Sequence, residues 1–212
     1  MMAKSKKVFC IGFQKTGTKS LGHALRMLGY RVCGPVGTLD PDINTKAFEI
    51  AMRYTQTHDA FEDHPWPLIY RELDAQYPGS RFILTVRNPD KWIDSVVNHF
   101  GNYENAPDRR WVYGAGSPIG NEKLYRQKFI DHNKDVQNYF RNRTEDLLVI
   151  DLSKGDNWNK LCRFLKEEKP DKPFPHLNKK GSILSLALSH VPGIAGWCID
   201  HYVRMRQKLL RA

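Results

Sequence analysis

The stretch GFQKTGTKS, residues 12–20, decides the fold. The apolar run at residues 7–11 just before it predicts a short buried strand, and residues 20–25 predict the beginning of a helix. A strand, a glycine-containing loop and a helix, in this order, point backbone N–H groups and the positive end of a helix dipole at an anion. We therefore expect a phosphate-binding loop here, with an ordinary βα turn and a solvated lysine as the alternative.

The lysine of this loop is displaced from the position that nucleotide triphosphatases use. Their pattern is G-x-x-x-x-G-K-[ST], with a lysine that reaches the β and γ phosphates. Gly12 and Gly17 have the required spacing, but Thr18 stands at the lysine position and Lys15 lies in the middle of the loop. A lysine there is closer to the bridging oxygen of a nucleotide's 5′ group. The loop is predicted to bind phosphate-like anions without being an ATPase loop.

A second anion-binding element is predicted where the next long apolar run ends. Residues 81–86 predict a buried central strand that stops at Arg87, and Asn88 can cap a helix whose first position is Pro89. Asn88 and Ser95 share a face of that helix, so Ser95 should lie on the side where Arg87 leaves the strand. An arginine and a hydroxyl that converge at the end of a strand make a phosphate clamp. The alternative is a surface arginine and an unrelated serine.

Together, the loop and the clamp resemble the donor site of sulfotransferases that use 3′-phosphoadenosine 5′-phosphosulfate (PAPS), in particular the short single-domain members of the P-loop superfamily. In that family an arginine and a serine eight residues apart hold the donor's 3′-phosphate, which is the interval between Arg87 and Ser95. The resemblance covers about residues 7–180. It implies donor contacts from Gln14, Lys15, Thr16, Gly17, Thr18, Lys19, Ser20, Arg87, Ser95, Lys179 and Lys180. For the last two, a solvated lysine turn is the alternative.

The resemblance also implies the catalytic groups. Lys15 would stabilise charge on the departing oxygen, and a base would accept the proton of the attacking acceptor. The family's base is a histidine or a carboxylate two residues before a proline, which selects Asp63 before Pro65, with Glu62 as a third candidate and His64 as the neighbouring alternative. Adjacent residues of a regular strand point to opposite faces, so only one of the two would face the site. A structural alternative is that Asp63 caps a helix beginning near Pro65.

Alternating strands and helices predict an α/β fold, a three-layer α/β/α parallel sheet of the P-loop type. We expect the sulfotransferase-like domain at residues 1–181 and a helical C-terminal extension at residues 182–212. Residues 183–199 contain no Asp, Glu, Lys or Arg but are broken by Pro192, and several basic residues follow. Two short helices that pack on the domain or on a second subunit, as in a homodimer, are one interpretation. A helix at the surface of an anionic membrane is the other.

The net charge of +10 fits an anionic ligand, and PAPS is a sufficient explanation for it. We expect no nucleic-acid partner, because the sequence has no zinc-ligand spacing and no recognisable helix-turn-helix. No metal-ligand cluster is visible either. The four cysteines form no C-x-x-C pair and no signal peptide precedes the first strand, so a cytoplasmic protein is expected, with membrane association through its C-terminal extension as the alternative.

Two rival functions are compatible with the same loop. A Mg²⁺-dependent nucleotide kinase would need Lys19 in place of the displaced lysine and an acid such as Asp151 after a strand. A non-catalytic nucleotide-binding scaffold would keep the fold and lose the chemistry. The acceptor hydroxyl or amine could belong to a small molecule, a glycan or a lipid, because the fold does not identify it.

Two further segments carry predictions. Residues 100–120 are long for a connector and are interpreted either as a lid or acceptor-binding loop or as a disordered excursion. Residues 122–143 predict a long helix with an apolar face formed by Leu124, Phe129, Val136 and Phe140.

Overall fold

The sheet positions the whole site. In the computed structural model, which describes residues 6–155 and 157–177, the strands are β1 (Val8–Cys10), β2 (Val32–Cys33), β3 (Ala60–Glu62), β4 (Arg81–Thr85) and β5 (Leu147–Ile150). They form one sheet in the order β2-β3-β1-β4-β5, and every pairing is parallel. The helices are α1 (Thr18–Met27), α2 (Ile43–Thr55), α3 (Tyr70–Gln76), α4 (Pro89–Phe100), α5 (Pro107–Tyr113), α6 (Glu122–Tyr139) and α7 (Trp158–Leu165). Two short 3₁₀ helices lie at Trp66–Leu68 and Leu152–Lys154.

Helices cover both faces of the sheet, because successive strand side chains point to opposite sides. On one face Val8 and Cys10 of β1 pack with α1 and α7. On the other face Phe9 and Ile11 pack with α2, α3 and α6. The three-layer α/β/α fold predicted from the sequence is therefore confirmed.

The central strand and its helix also form as predicted. β4 lies between β1 and β5, and residues 82–85 are buried. The Asn88 side chain accepts hydrogen bonds from the backbone N–H groups of Asp90 and Lys91, at 3.0 and 3.1 Å, with Pro89 in the first turn of α4. This cap fixes where α4 begins, and so fixes the direction in which Arg87 leaves the sheet.

Three details differ from the sequence prediction. α6 ends at Tyr139, and its apolar face uses Tyr125 in place of Leu124, which is exposed. The 3₁₀ helix after Pro65 has no side-chain cap, since the Asp63 carboxylate accepts the N–H of its neighbour His64 instead. Capping of that helix by Asp63 is therefore wrong.

Residues 100–120 are ordered around a helix, so the disordered interpretation is also wrong. Arg109 of α5 is buried and donates to the carbonyl oxygens of Gly116 (2.6 Å) and Tyr103 (2.7 Å). These bonds tie the two ends of the segment to its own helix.

Several predicted features lie outside the described residues. They are the lysine pair Lys179 and Lys180, Cys198 and the C-terminal extension at residues 182–212. Within residues 6–155 and 157–177, no helix is long and apolar enough to cross a membrane. The same residues contain no group of three or more His, Cys, Asp or Glu side chains arranged to hold a metal ion.

Candidate active site

The loop after β1 is curled so that its backbone can surround an anion. Lys15 (φ 68°) and Gly17 (φ 104°) both have left-handed backbones, and α1 begins directly afterwards at Thr18. No side chain caps α1, so the N–H groups of its first turn are left for a ligand. Alternating left- and right-handed residues also turn successive N–H groups toward a common centre.

The loop is held from below by β4. A Cβ atom on Gly12 would lie 2.0 Å from the Thr85 hydroxyl and 2.6 Å from its backbone nitrogen, so only glycine fits there. The Thr85 hydroxyl also forms a 2.5 Å hydrogen bond with the hydroxyl of Thr16. The loop therefore rests on the same strand that carries Arg87.

Buried aromatic side chains brace the loop from the other side. The indole N–H of Trp92 donates to the carbonyl oxygen of Gln14 at 2.9 Å, and the Gln14 amide donates to the Tyr113 hydroxyl at 2.8 Å. Because all three residues are buried, the position of the Gln14 backbone does not depend on a ligand. Gln14, predicted as a donor-binding residue, supports the loop with its side chain.

Arg87 and Lys15 meet at the mouth of this loop. The Arg87 Nη1 group donates to the carbonyl oxygen of Lys15 at 3.0 Å, while its Nε is buried without a hydrogen-bond partner among the described residues. Burial and the nearby charge of Arg87 lower the pKa of Lys15, an effect that Asp63 partly offsets. Two cations held this close, one with an unused donor, are suited to an anionic ligand.

A single cavity of about 710 Å³ joins the predicted elements. Ser95 on α4 lines it together with Arg87 and Lys15, so the structure brings the predicted clamp and loop together. Of the predicted site residues, those that line the cavity are Gln14, Lys15, Gly17, Thr18, Lys19, Ser20, Asp63, His64, Arg87 and Ser95. Thr16 is buried behind them, and the Ser20 hydroxyl accepts the backbone N–H of Leu177 at 2.9 Å.

Lys19 is paired with Glu62, a buried acid that the sequence analysis named only as a third candidate base. Its ammonium lies 3.1 Å from Glu62 Oε1, at the end of β3, and the Glu62 side chain is only 2% exposed. Burial and then the charge of Asp63 raise the pKa of the Glu62 carboxyl, while Lys19 and the Thr18 hydroxyl act in the opposite direction. Glu62 thereby fixes a second lysine ammonium next to the loop.

Asp63 and His64 face the same cavity because the strand does not stay regular. Asp63 has a left-handed backbone (φ 71°) directly after β3, and this turn brings both side chains to the cavity wall. The expectation that only one of them would face the site assumed a regular strand, and that condition is not met here. The reason is local: a positive φ ends the alternation of side chains along the strand.

His64 is oriented by a residue that the sequence did not reveal. Its Nδ1 lies 2.9 Å from Asp108 Oδ2, while Nε2 is buried without a hydrogen-bond partner among the described residues. A carboxylate at one ring nitrogen holds the tautomer in which the other nitrogen is free to accept a proton. Asp108 lies 44 residues away in the sequence, so only a cue such as its place beside Pro107 in the first turn of α5 could have drawn attention to it.

The comparisons with known proteins agree with this geometry. The sulfotransferase domain family matches this chain over residues 7–117 and 109–183. The chain belongs to the sulfotransferase domain family.

A curated relative of this sulfotransferase is the Ava biosynthesis cluster protein M of Aspergillus versicolor. The two are 26% identical over an alignment 215 positions long, and the alignment covers 81% of this chain and 80% of that protein. The alignment therefore spans most of both proteins.

Four segments of the cavity wall begin at the C-terminal end of a strand. The loop at residues 12–17 follows β1, residues 34–39 follow β2, Asp63 follows β3 and Arg87 follows β4. This is the edge at which parallel α/β sheets bind ligands.

Proposed function

We propose that this protein transfers the sulfuryl group of PAPS to an acceptor hydroxyl or amine. The observation that carries the proposal is the joining of two anion positions in one cavity, the loop around Lys15 and the Arg87–Ser95 clamp. PAPS has anionic groups at both ends of its ribose, so it needs two such positions. The unpartnered Nε of Arg87 supports the fit, since it offers a donor that the described residues do not use.

PAPS, when bound, supplies the activated sulfuryl group. Lys15 and the first-turn N–H groups of α1 would hold its 5′ end, and Arg87 and Ser95 its 3′-phosphate. Lys15 would stabilise the negative charge that develops on the departing oxygen, a contribution of roughly 10²–10³ in turnover for one well-placed donor. Its lowered pKa reflects a partly desolvated ammonium, and such a charge interacts more strongly with an anion than a solvated one does.

His64 is our preferred base, ahead of the predicted Asp63. The His64–Asp108 pair leaves Nε2 without a partner, whereas the Asp63 carboxylate already accepts the His64 N–H at 2.9 Å. Asp63 would then add negative charge beside the site without accepting the proton. The alternative assignment to Asp63 predicts the opposite result in the paired variants described in the Discussion.

The presence of a lysine at position 19 favours a sulfotransferase function over a Mg²⁺-dependent kinase function. In the triphosphatase pattern, position 19 is the Ser or Thr that binds Mg²⁺ together with an acid after a strand. Here Lys19 contacts just such an acid, Glu62. We propose that the ammonium takes the place of the cation, so that donor binding needs no metal.

The acid suggested for the kinase alternative is used elsewhere. Asp151 accepts hydrogen bonds from the backbone and the hydroxyl of Ser153, at 3.0 and 2.6 Å, and caps a 3₁₀ helix. It follows β5, which is separated from β1 by β4. These contacts give the kinase reading no support.

Cytoplasmic residence and a small-molecule acceptor are also proposals. The name of the Aspergillus relative describes that protein as part of a biosynthesis cluster, which agrees with an acceptor of small-molecule size. No observation yet favours a homodimer, a membrane-bound form or a non-catalytic scaffold.

Calorimetric titration with 3′-phosphoadenosine 5′-phosphate (PAP) and with ATP, each with and without Mg²⁺, tests the donor. We expect PAP to bind without metal and more tightly than ATP. A preference for Mg²⁺-ATP would favour the kinase. PAP binding without product formation from PAPS over a broad acceptor panel would favour the scaffold.

A further inference from the structure

One half of the cavity differs in chemistry from the donor loop. We call it the acceptor wall, and it consists of residues 33–39, Tyr54, His58 and residues 99–109 wherever they line the cavity. Its apolar and aromatic side chains are Pro35, Val36, Leu39, Tyr54, Phe100 and Tyr103. Such a lining is typical of a site for a small apolar molecule.

The acceptor wall is fixed to the rest of the site by backbone hydrogen bonds. The Val36 N–H donates to the His64 carbonyl oxygen at 3.0 Å, and the Trp66 indole donates to the Gly34 carbonyl oxygen at 3.2 Å. The Asp108 N–H approaches the Thr38 carbonyl oxygen at 3.4 Å. The two segments of the wall are thus joined to each other and to the residue that we assign as the base.

The wall has one arginine, and its guanidinium is already engaged. Arg109 donates to two carbonyl oxygens and lies over the Phe100 ring, 4.3 Å from its centroid. Packed in this way it holds Phe100 and Tyr103 in place as walls of the cavity, while its Nε and Nη2 groups bond to carbonyl oxygens of its own segment.

The charges near the wall disfavour an anionic acceptor. The carboxylates of Asp63 and Asp108 both line the cavity next to His64. His99 is exposed over part of its surface, but its ring borders the cleft, where loss of water and then the charge of Lys15 lower its pKa to about 4. It is therefore uncharged near neutral pH.

The two lysines of the cavity, Lys15 and Lys19, belong to the donor loop and α1, and the guanidinium of Arg26 donates to the Val32 carbonyl oxygen at 3.2 Å.

Size limits the acceptor further. The cavity of about 710 Å³ falls within the range of roughly 300–1,000 Å³ that single small-molecule sites occupy. On the proposed function this volume must hold a nucleotide and the reacting part of the acceptor together. The part of the acceptor that enters is consequently small.

We infer that the acceptor is a small uncharged molecule whose hydroxyl stands on an aromatic or alicyclic ring, a phenol or an apolar alcohol, and not an anionic glycan. The inference rests on the proposed function. The ring would pack against Phe100, Tyr103 and Val36. Its hydroxyl oxygen forms the new bond to sulfur as the bond from sulfur to the 5′-phosphate oxygen breaks, and the hydroxyl proton passes to His64 Nε2.

Binding to the PAP-saturated protein tests this directly. The probes are 2-naphthol, its anionic analogue 6-hydroxy-2-naphthoate and the neutral disaccharide lactose, titrated by calorimetry. We expect 2-naphthol to bind, the carboxylate to bind at least roughly tenfold more weakly, and lactose to give no signal. With PAPS as donor, 2-naphthol should also yield its sulfate ester.

Variants locate the binding. Phe100→Ala and Tyr103→Ala should each weaken 2-naphthol binding roughly five- to twentyfold and leave PAP binding unchanged. Ile119→Ala is the matched control, because Ile119 is an exposed apolar residue of the same segment that does not line the cavity.

Each failure has its own meaning. If PAP binds but 2-naphthol does not, or if the carboxylate or lactose binds better, the acceptor inference is overturned and the donor assignment stands. Equal effects of Phe100→Ala and Ile119→Ala would also overturn it. If PAP itself fails to bind, the proposed function falls, and the inference falls with it.

Discussion

The two halves of the cavity are built in different ways. The proposed donor half consists of one continuous loop and one strand end, and on the proposed function much of its binding would come from backbone N–H groups held by buried packing. The acceptor half consists of side chains from three separate parts of the chain, residues 33–39, Tyr54 with His58, and residues 99–109. A site built from backbone groups requires a recognisable spacing of glycine and lysine in the sequence. A site assembled from side chains of distant segments requires no such motif. The variants below test this division, beginning with the largest expected effect.

The base at the border of the two halves should give the largest loss. We expect His64→Asn to lower kcat by roughly 10²–10⁴, because the proton of the acceptor then has no group to receive it. Asp63→Asn, its neighbour, should lower kcat less than tenfold. Asp108→Asn should fall between them, since it leaves the imidazole in place without its carboxylate.

These three kcat values should be measured with saturating PAPS, with PAP affinity as the check on folding. A larger loss for Asp63→Asn than for His64→Asn would return the role of base to Asp63. A loss of PAP affinity in the His64 variant would show that the two halves are not independent at this point.

Removal of the loop lysine should be the next largest effect. Lys15→Ala should lower kcat by about 10²–10³ and change the Kd for PAP by less than tenfold, because its charge matters most as the departing oxygen becomes negative. Lys91→Ala, an exposed lysine on α4, is the control of equal charge. If the two variants turn over PAPS equally well, Lys15 has no part in the chemistry.

The clamp at the end of β4 should govern affinity. Arg87→Ala should raise the Kd for PAP by roughly 10- to 100-fold, as expected when a charge-assisted hydrogen bond is lost. Because Arg87 also supports the Lys15 carbonyl oxygen, adenosine 5′-phosphate, which lacks the 3′ group, is the comparison ligand. Equal losses for the two ligands would assign Arg87 to the support of the loop alone.

The smallest effect is expected at Lys19. Lys19→Met should weaken PAP binding roughly fivefold, since the lysine is half exposed and solvent weakens its charge. Lys19→Ser restores only the Mg²⁺-binding hydroxyl of the triphosphatase pattern beside Glu62, since Thr18 still stands at the lysine position. In this variant Mg²⁺ should increase the affinity for PAP. If both variants match the unaltered protein with and without Mg²⁺, the ammonium does not act in place of a metal.

The sequence predicted the sheet, the loop, the capped start of α4 and the meeting of Arg87 and Ser95 at one cavity, since each depends on residues close together in the chain. That these two residues hold a phosphate stays a prediction. The sequence did not predict Glu62 as the partner of Lys19 or Asp108 as the partner of His64, because those contacts arise when β3 and α5 are brought to the same edge.

Asp63 and His64 both face the cavity because Asp63 has a positive φ. A positive φ is uncommon for residues other than glycine, so the sequence did not predict this turn. The sequence predicted Leu124 on the apolar face of α6, but its neighbour Tyr125 is the buried residue. The stacking of Tyr125 on Tyr113 decides this, and the sequence of α6 alone does not show that contact.

The contact of Gly12 with Thr85 has a consequence for which ligands can be told apart. With no side chain between them, the loop after β1 and the end of β4 cannot move separately, and the hydrogen bond from Arg87 to the Lys15 carbonyl oxygen joins them again above the sheet. The two proposed anion positions, the loop around Lys15 and the Arg87–Ser95 pair, therefore lie at a fixed distance that is set by the spacing of neighbouring strands. A nucleotide with one phosphate on each side of its sugar would reach both positions only if its phosphates were that distance apart. A chain of three phosphates on one side of the sugar would contact only one of the two positions.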